Sequence, residues 1–377
     1  MEDWSVVYRV SLFGFLGAMI FGAVASKTHF CTMGSVSDWI NMGSKVRFRA
    51  WVLSMGIAIL GAQAMMQTGL IDLNETIYRG PSFGWTGFLI GGILFGIGMT
   101  LGGGCGQRTL VRVGGGNLKS LVVLIVMAIT AYATLRGILA PLRIDVFGSL
   151  TVDLAMHDIN DQGIDTLIAH LTGLSLHMVS VAVAVIFGVG AIIYAIKDKS
   201  FRQSFDSILA GLTIGVLVCG AWYVTGVIGN DDFEPVPLEA VTFIAPSANF
   251  LNYIMTWTGS EISFGIAVVC GMIAGSFIYA VLTGHFRVET FVAGGDMRNH
   301  LVGGVLMGFG GVLSFGCTIG QGVSGMSTLA LGSLVTLVSI MFGSALTMKT
   351  QYYMLDDGFW VSLRQSLADL KLWPQKP

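Results

Sequence analysis

Charged side chains are scarce in this chain. Asp, Glu, Lys and Arg make up 11% of its 377 residues, against about 25% in an average soluble domain. So few charges exclude an ordinary water-soluble fold. Cysteine is sparse and odd in number: the five, at 31, 105, 219, 270 and 317, include no C-x-x-C pair. That excludes a zinc ribbon or a redox dithiol and leaves no disulfide framework. No HExxH, Walker or Gly-x-Ser-x-Gly motif is present, so the chain is not read as an enzyme, and no cofactor or metal is expected. Any transport is then passive, coupled to an ion gradient or driven by a partner. The opening Met1-Glu2-Asp3 lacks the basic n-region of a cleaved signal peptide, so the first apolar run is expected to remain as a helix. There is no soluble domain and no low-complexity linker, and nucleic acid is not an expected partner.

What the chain has instead is apolar length. It is 54% hydrophobic with a mean hydropathy of +0.76. The expected class is an all-α polytopic protein in a lipid bilayer. A span needs about 20 largely apolar residues. Nine stretches qualify, near 7–26, 50–69, 84–102, 118–139, 169–195, 207–228, 260–283, 301–316 and 328–348; the eighth is short. With the N-terminus outside, 16 of the 20 Lys and Arg fall on the cytoplasmic side, and only Arg9, Arg79, Arg136 and Arg143 stay outside. The acidic loops 145–165 and 229–239 then also lie outside. The expected external loops, 140–168 and 229–259, carry Pro141, Pro235, Pro237 and Pro246 and suit short interfacial helices or a vestibule. Residues 1–348 read as one transporter domain. Residues 349–377, with Trp360 and Trp373, read as a tail on the cytoplasmic membrane surface.

Two glycine-rich stretches repeat. Gly91, Gly92, Leu94, Gly96, Gly98, Gly104 and Cys105 align without a gap on Gly303, Gly304, Leu306, Gly308, Gly310, Gly316 and Cys317. This is the mark of an internal duplication, with repeat units near 84–139 and 298–348. Small residues let membrane helices pack closely, which accounts for the glycines. It does not account for each run stopping at a cysteine followed by a polar break. By the span count the two units enter the membrane from opposite faces, so an inverted repeat is expected, with a site where broken helices meet near mid-bilayer. A weaker echo links Thr28-His29-Phe30-Cys31 to Gly284-His285-Phe286-Arg287. By the same count those two turns lie on the same face, which a clean inversion does not explain.

Cys219 and Cys270 sit inside apolar runs and read as packing residues. Cys31, Cys105 and Cys317 sit where apolar runs turn polar. A helix broken there exposes N–H groups and a positive dipole end, which favour an anion. Thiols are soft, weak donors, suited to a sulfur species; a cuprous ion also fits three soft ligands, but Arg108 and Arg287 would repel it. Arg108 is open to two readings, anion contact and positive-inside anchoring, and Arg112 and Lys119 read as anchors. Gln107 and Gln321 can donate to an anion or satisfy broken backbone. His29 and His285 can relay protons or simply bond a carbonyl at a helix end. Asp38-Trp39 and Lys45-Arg47-Arg49 read as an interfacial helix with a basic edge.

Together THFCTMGSVSDW, GGGCGQRTLVRVGGGNLKS, the GHFR step and GGVLMGFGGVLSFGCTIGQGVSG resemble the YeeE/YedE family of sulfur transporters, from about residue 10 to 348. The resemblance implies a bacterial inner-membrane protein that brings thiosulfate or a related sulfur anion into the cytoplasm. It also implies an hourglass fold whose narrow waist is lined by Cys31, Cys105 and Cys317, with Arg287 as the basic residue of the GHFR step. The expected pathway residues are these four with Gln107, Gln321, Arg108 and His29. This sequence has GCGQRT where many relatives carry a smaller, less charged turn, which leaves the solute open among sulfur and selenium species. The alternatives are a persulfide relay to a small cytosolic sulfur-carrier protein and a selenium-compound or soft-metal transporter.

Overall fold

Each long apolar run folds as a helix, because in lipid a backbone must satisfy its own polar groups. The computed structural model describes residues 5–231, 233–291 and 294–370; Met1-Glu2-Asp3 and Trp373 lie outside the described residues. In chain order the helices are α1 (Val6–Thr28), α2 (Thr32–Met42), α3 (Val46–Gln67), α4 (Gly92–Leu101), α5 (Gly106–Gly114), α6 (Leu118–Arg136), α7 (Ile164–Thr172), α8 (Leu176–Ile196), α9 (Lys199–Gln203), α10 (Phe205–Tyr223), α11 (Ile244–Met255), α12 (Phe264–Leu282), α13 (Gly294–Leu313), α14 (Leu331–Tyr353) and α15 (Phe359–Asp369). Short π turns extend α4 at its start, Gly87–Gly91, and α10 at its end, Val224–Ile228. A further π segment, Gly320–Gly325, follows Cys317. The strands among the described residues are the pair Ser82–Phe83 and Val152–Asp153.

Eight helical stretches among the described residues are long and apolar enough to cross a membrane. Nine were expected. The difference is 301–316, which is the C-terminal part of α13. That helix starts well before the apolar run and carries Asp296, Arg298 and His300 in its first turns. The expected span at 169–195 also divides. Gly173, in the left-handed region at φ 71°, ends α7, and α8 starts afresh at Leu176.

The glycine seam explains how the halves are joined. A Cβ on Gly98 would lie 2.8 Å from the Gly303 carbonyl oxygen, and one on Gly91 would lie 2.8 Å from that of Gly310. The matched positions run in opposite order along the two helices, so α4 and α13 pack antiparallel, backbone to backbone, as small residues permit. Three further sets of pairings obey the same exchange. α4 packs on α14 and α13 on α6; α1 packs on α12 and α10 on α3; α11 meets α6 and α2 meets α14. Interchanging α1, α2, α3, α4 and α6 with α10, α11, α12, α13 and α14 in that order leaves this set unchanged. The fold is therefore an all-α membrane protein built on an inverted repeat.

This pairing removes the parity problem of the THFC and GHFR echo. α1 and α12 lie side by side in the same direction: Gly271 sits against the Phe15 carbonyl and Gly275 against that of Met19. Their two turns therefore share one face, as the count had it. The inverted counterpart of α1 is α10, which runs antiparallel to it, with Lys27 near Asp206 at 4.0 Å and Gly17 near Leu217. The turn corresponding to Cys31 is thus the one at Thr242-Phe243, ahead of α11.

At the end of the bundle away from Lys27, a fully buried arginine ties three segments together. Arg79 donates to Asp161 Oδ1 from Nε and Nη2 at 3.0 and 2.9 Å, and to Asp165 from Nη2 and Nη1 at 2.8 and 3.3 Å. Nη1 also reaches the Thr328 carbonyl at 3.4 Å. Removing one side of a buried ion pair leaves the other uncompensated and costs about 3–5 kcal/mol. Arg79→Met should therefore lower the thermal midpoint of the purified protein sharply, with partial recovery when Asp161→Asn and Asp165→Asn are added. An unchanged midpoint in the single variant would contradict this role.

Candidate functional site

Three helix breaks build the centre, and they share one backbone device. His29 (φ 51°), Gly103 (φ 72°) and Phe315 (φ 56°) each adopt the left-handed region two residues before Cys31, Cys105 and Cys317. The left-handed residue stops the incoming helix. Cys31 and Cys105 then follow in extended conformation and cap the short helices α2 and α5. Only glycine takes this conformation freely; a side-chain-bearing residue gives up roughly 1–2 kcal/mol.

A second shared device lies four residues after each cap. The Ser35 hydroxyl donates to the Cys31 carbonyl at 2.8 Å, and the Thr109 hydroxyl to that of Cys105 at 3.0 Å. The Ser247 hydroxyl donates to the Phe243 carbonyl at 2.6 Å. The Thr242-Phe243 turn therefore repeats the pattern without a cysteine.

The structure brings the three expected thiols into one buried line. The Cys31 and Cys105 thiols face each other. Cys31 is 6% exposed, and Cys105 and Cys317 are closed off from solvent. On its other side Cys105 faces the Thr318 hydroxyl, which has no oxygen or nitrogen partner. Thr318 is the residue after Cys317, so the tips of the two glycine-rich repeats meet here. The Cys317 sulfur accepts the Gly320 N–H at 3.4 Å and faces the N–H groups of Ile319 and Phe243 and the Thr242 hydroxyl.

The two glutamines are engaged in holding the turns. Gln107 donates to the Phe30 carbonyl at 3.3 Å, joining the Cys105 turn to the Cys31 turn. Its Oε1 lies 3.9 Å from the Cys105 sulfur. Gln321 donates to the Ser314 carbonyl and accepts from the Ser333 hydroxyl at 2.6 Å. Of the two readings for these residues, satisfying broken backbone is the one the geometry displays.

Beyond Cys31 the line opens into a basic cavity of about 360 Å³, with His29, Arg47, Arg108 and Arg112 in its wall. A second cavity of about 300 Å³ shares His29, Arg108 and Arg112 and adds His285, Arg287 and Glu289. Arg47 is paired with Asp38 at 3.1 Å, and Arg112 donates to the Gly103 carbonyl at 2.9 Å. No carboxylate pairs with Arg108 among the described residues. Arg287 lies at the rim, far more exposed than the thiols. Cys219 and Cys270 stand apart; Cys219 packs against the Ile57 carbonyl at 3.6 Å.

The far side of Cys317 holds residues that no sequence motif marks. Tyr78 is buried, lies within electrostatic reach of Cys317 and Glu239, and meets Trp222 edge-on at 6.4 Å. Burial holds its phenol well above the usual range, so it stays a proton donor. Thr242 and Glu239 are equally unmarked. The serine or threonine four residues after Cys31 and Cys105 is the one signal that would have led to Phe243 and hence to Thr242.

Antiparallel glycine-packed helices whose following cysteine turns meet in the buried centre define an inverted-repeat membrane transporter. Comparison with known proteins narrows the class. A family model described as sulphur transport matches residues 27–346, and the chain belongs to that family. It is 25% identical over 354 residues to the thiosulfate transporter TsuA of Escherichia coli (strain K12), covering 89% of this chain and 93% of that protein. It is also 25% identical over 343 residues to the thiosulfate transporter TsuA of Spirochaeta thermophila, covering 88% and 96%. The role of the chain is accordingly sulfur-anion transport.

Glu239 gives this region a titratable group. The residue as a whole keeps partial exposure, but protein atoms crowd its carboxyl, and burial pushes it up to about 7; the Gly265 N–H works against that shift. The acid is therefore neutral below about pH 7 and charged above it. Infrared difference spectra should show a protonated-carboxyl band that is lost across about pH 7 and is missing from Glu239→Gln. Loss of the band in the ordinary carboxylate range would contradict the burial argument.

Proposed function

We propose that the protein imports thiosulfate across a bacterial inner membrane, with its N-terminus in the periplasm and its C-terminus in the cytoplasm. The observation that carries this reading is the continuous buried line Cys317, Thr318, Cys105, Cys31, which ends in the cavity walled by Arg47, Arg108 and Arg112. Thiols donate weakly, so a polarisable anion can make and break contacts with them in turn without being trapped. His29, Arg108 and, further out, Arg287 receive the anion on the cytoplasmic side. Gln107 and Gln321 hold the turns that present the thiols. The same basic face is where a sulfur-carrier protein would collect the product.

A second reading is favoured by the facing thiols of Cys31 and Cys105. One of them, as thiolate, attacks the terminal sulfur of thiosulfate; the S–S bond breaks, sulfite leaves with the electron pair, and the cysteine becomes a persulfide. Mass spectrometry separates the two readings, since only this one adds a sulfur atom to Cys31 or Cys105.

For the import reading, uptake of labelled thiosulfate into membrane vesicles is the test. Cys31→Ala, Cys105→Ala and Cys317→Ala should each reduce uptake to background, while Cys219→Ala should stay near the parent rate. Equal uptake by all four variants would end the proposal.

A further inference from the structure

Between α1 and α10 lies an apolar groove of about 130 Å³, away from the thiol line. Every side chain in its wall is apolar. Phe13, Gly17 and Gly220 stand at its open edge, and Phe21 and Val241, both buried, form its floor. Two glycines keep it open. A Cβ on Gly17 would meet only Leu217, at 3.7 Å, and one on Gly220 would meet nothing within 4 Å. Both helices are long and apolar enough to span the membrane, and α1 turns Phe13, Leu16 and Ile20 outward, so the groove opens to lipid. An apolar cavity stays dry and takes apolar ligands. The floor lies deep in the fold: Val241 directly precedes the Thr242-Phe243 turn, and Phe21 meets Phe243 edge-on at 5.9 Å.

Arg9 adds an independent observation. It stands one turn before Phe13 on α1, and residues four apart on a helix share a face. Its Nε is enclosed yet has no hydrogen-bond partner, and no carboxylate pairs with the guanidinium among the described residues. Asp231, near enough to feel that charge, instead accepts from the N–H groups of Phe233 and Glu234 at 2.9 and 3.2 Å. A buried donor left open calls for an acceptor from outside the chain. Arg9 and Phe21 are separated by about 18 Å of helix at 1.5 Å per residue. Half of a bilayer's hydrocarbon core is about 15 Å thick. The cation therefore stands at headgroup level when the floor of the groove is near mid-bilayer.

We propose that the groove between α1 and α10 binds one phospholipid, with its phosphate on Arg9 and one acyl chain laid along Phe13, Gly17 and Phe21. The charge fits, since an arginine without a carboxylate meets the anionic part of the lipid and the apolar slot meets its tail. The width fits as well. A helix from a second copy is about 10 Å across, too wide for a slot that Leu217 alone nearly spans beside Gly17. The bound chain rests against Val241 and so backs the turn whose Thr242 and Phe243 face the Cys317 sulfur.

Photolabelling of the purified full-length chain with phosphatidylglycerol carrying a diazirine on one acyl chain tests this. Label should concentrate in residues 13–21 and 217–224. Diacylglycerol with the same diazirine chain should label them about 10-fold less, because it lacks the phosphate that takes a charge-assisted hydrogen bond. Arg9→Gln should remove that preference and leave labelling by diacylglycerol unchanged. Gly17→Leu should abolish labelling by both lipids. Gly220→Leu should do the same and carries the test should Gly17→Leu fail to fold. Label spread evenly over all lipid-facing helices, or parent-like labelling in Gly220→Leu, overturns the site. Equal labelling of the parent by the two lipids overturns the role of Arg9. A parent that purifies as a dimer, and that Gly220→Leu makes monomeric, assigns the groove to a second copy and overturns the lipid.

Discussion

The constraint on which the rest depends is that a helix broken inside lipid must re-pair every backbone group it frees, since no water is there to do so. This chain breaks helices ahead of α2, α5, α11 and the π segment after Cys317, and each break is repaired by a short polar side chain. Ser35, Thr109 and Ser247 return to the carbonyl of their own cap. Gln107 and Gln321 reach back to carbonyls of a preceding turn. Ser324 closes the Val241 carbonyl at 2.8 Å. Once these carbonyls are spent in this way, N–H, O–H and S–H groups remain at the centre beside the Gln107 Oε1. The donor character of the site follows from the repair of its backbone.

The glycine seam supplies the second half of the explanation. Backbones in contact along α4 and α13 set where the two repeats end relative to each other. Side chains any larger than glycine at 98 and 303 would push the helices apart and with them Cys105 and Thr318. The seam therefore fixes the distance between thiols that belong to different halves. The two helices are antiparallel, so the same packing that draws the tips together also opens one half to each side of the bundle.

Much of this was legible in the residues, because the signals were local. The apolar runs gave the helices, the repeated Gly pattern gave the duplication, the count of spans gave its inversion, and Cys31, Cys105 and Cys317 stood out at the point where each run turns polar. The span at 301–316 is the C-terminal part of a longer helix, because a helix starts where its backbone can, not where its hydropathy rises, and α13 begins at charged residues. The echo of THFC in GHFR misled because it matched two turns at the same end of neighbouring helices, whereas the true counterpart, Thr242-Phe243, has no cysteine to announce it. Tyr78, Thr242 and Glu239 lie in connecting segments with no periodicity, and only the fold brings Thr242 to Cys317 and Glu239 within electrostatic reach of Tyr78. Gln107 and Gln321 were visible as candidates, but whether they faced a solute or a carbonyl depended on which turns lay beside them.

The placement of charge along the line bears on how an anion would travel. Around Cys317 the donors are neutral N–H and O–H groups, and the Tyr78 phenol lies within electrostatic reach of that thiol and of the acid Glu239. Around Cys31 three arginines stand within one cavity, and one of them, Arg108, has no carboxylate partner among the described residues. An anion moving from Cys317 to Cys31 therefore meets a rising positive potential, and it meets it across a low-dielectric centre where charge acts at full strength. A fixed potential of this kind lowers the barrier at the dry waist equally for both directions of crossing, so it cannot by itself set net flow. Direction must come from outside the line: from a gradient, from a proton taken up with the anion, or from removal of the anion once it reaches the basic cavity. The arginines sit where removal would have to begin, open to water on the side away from the thiols, where solvent screening weakens their hold.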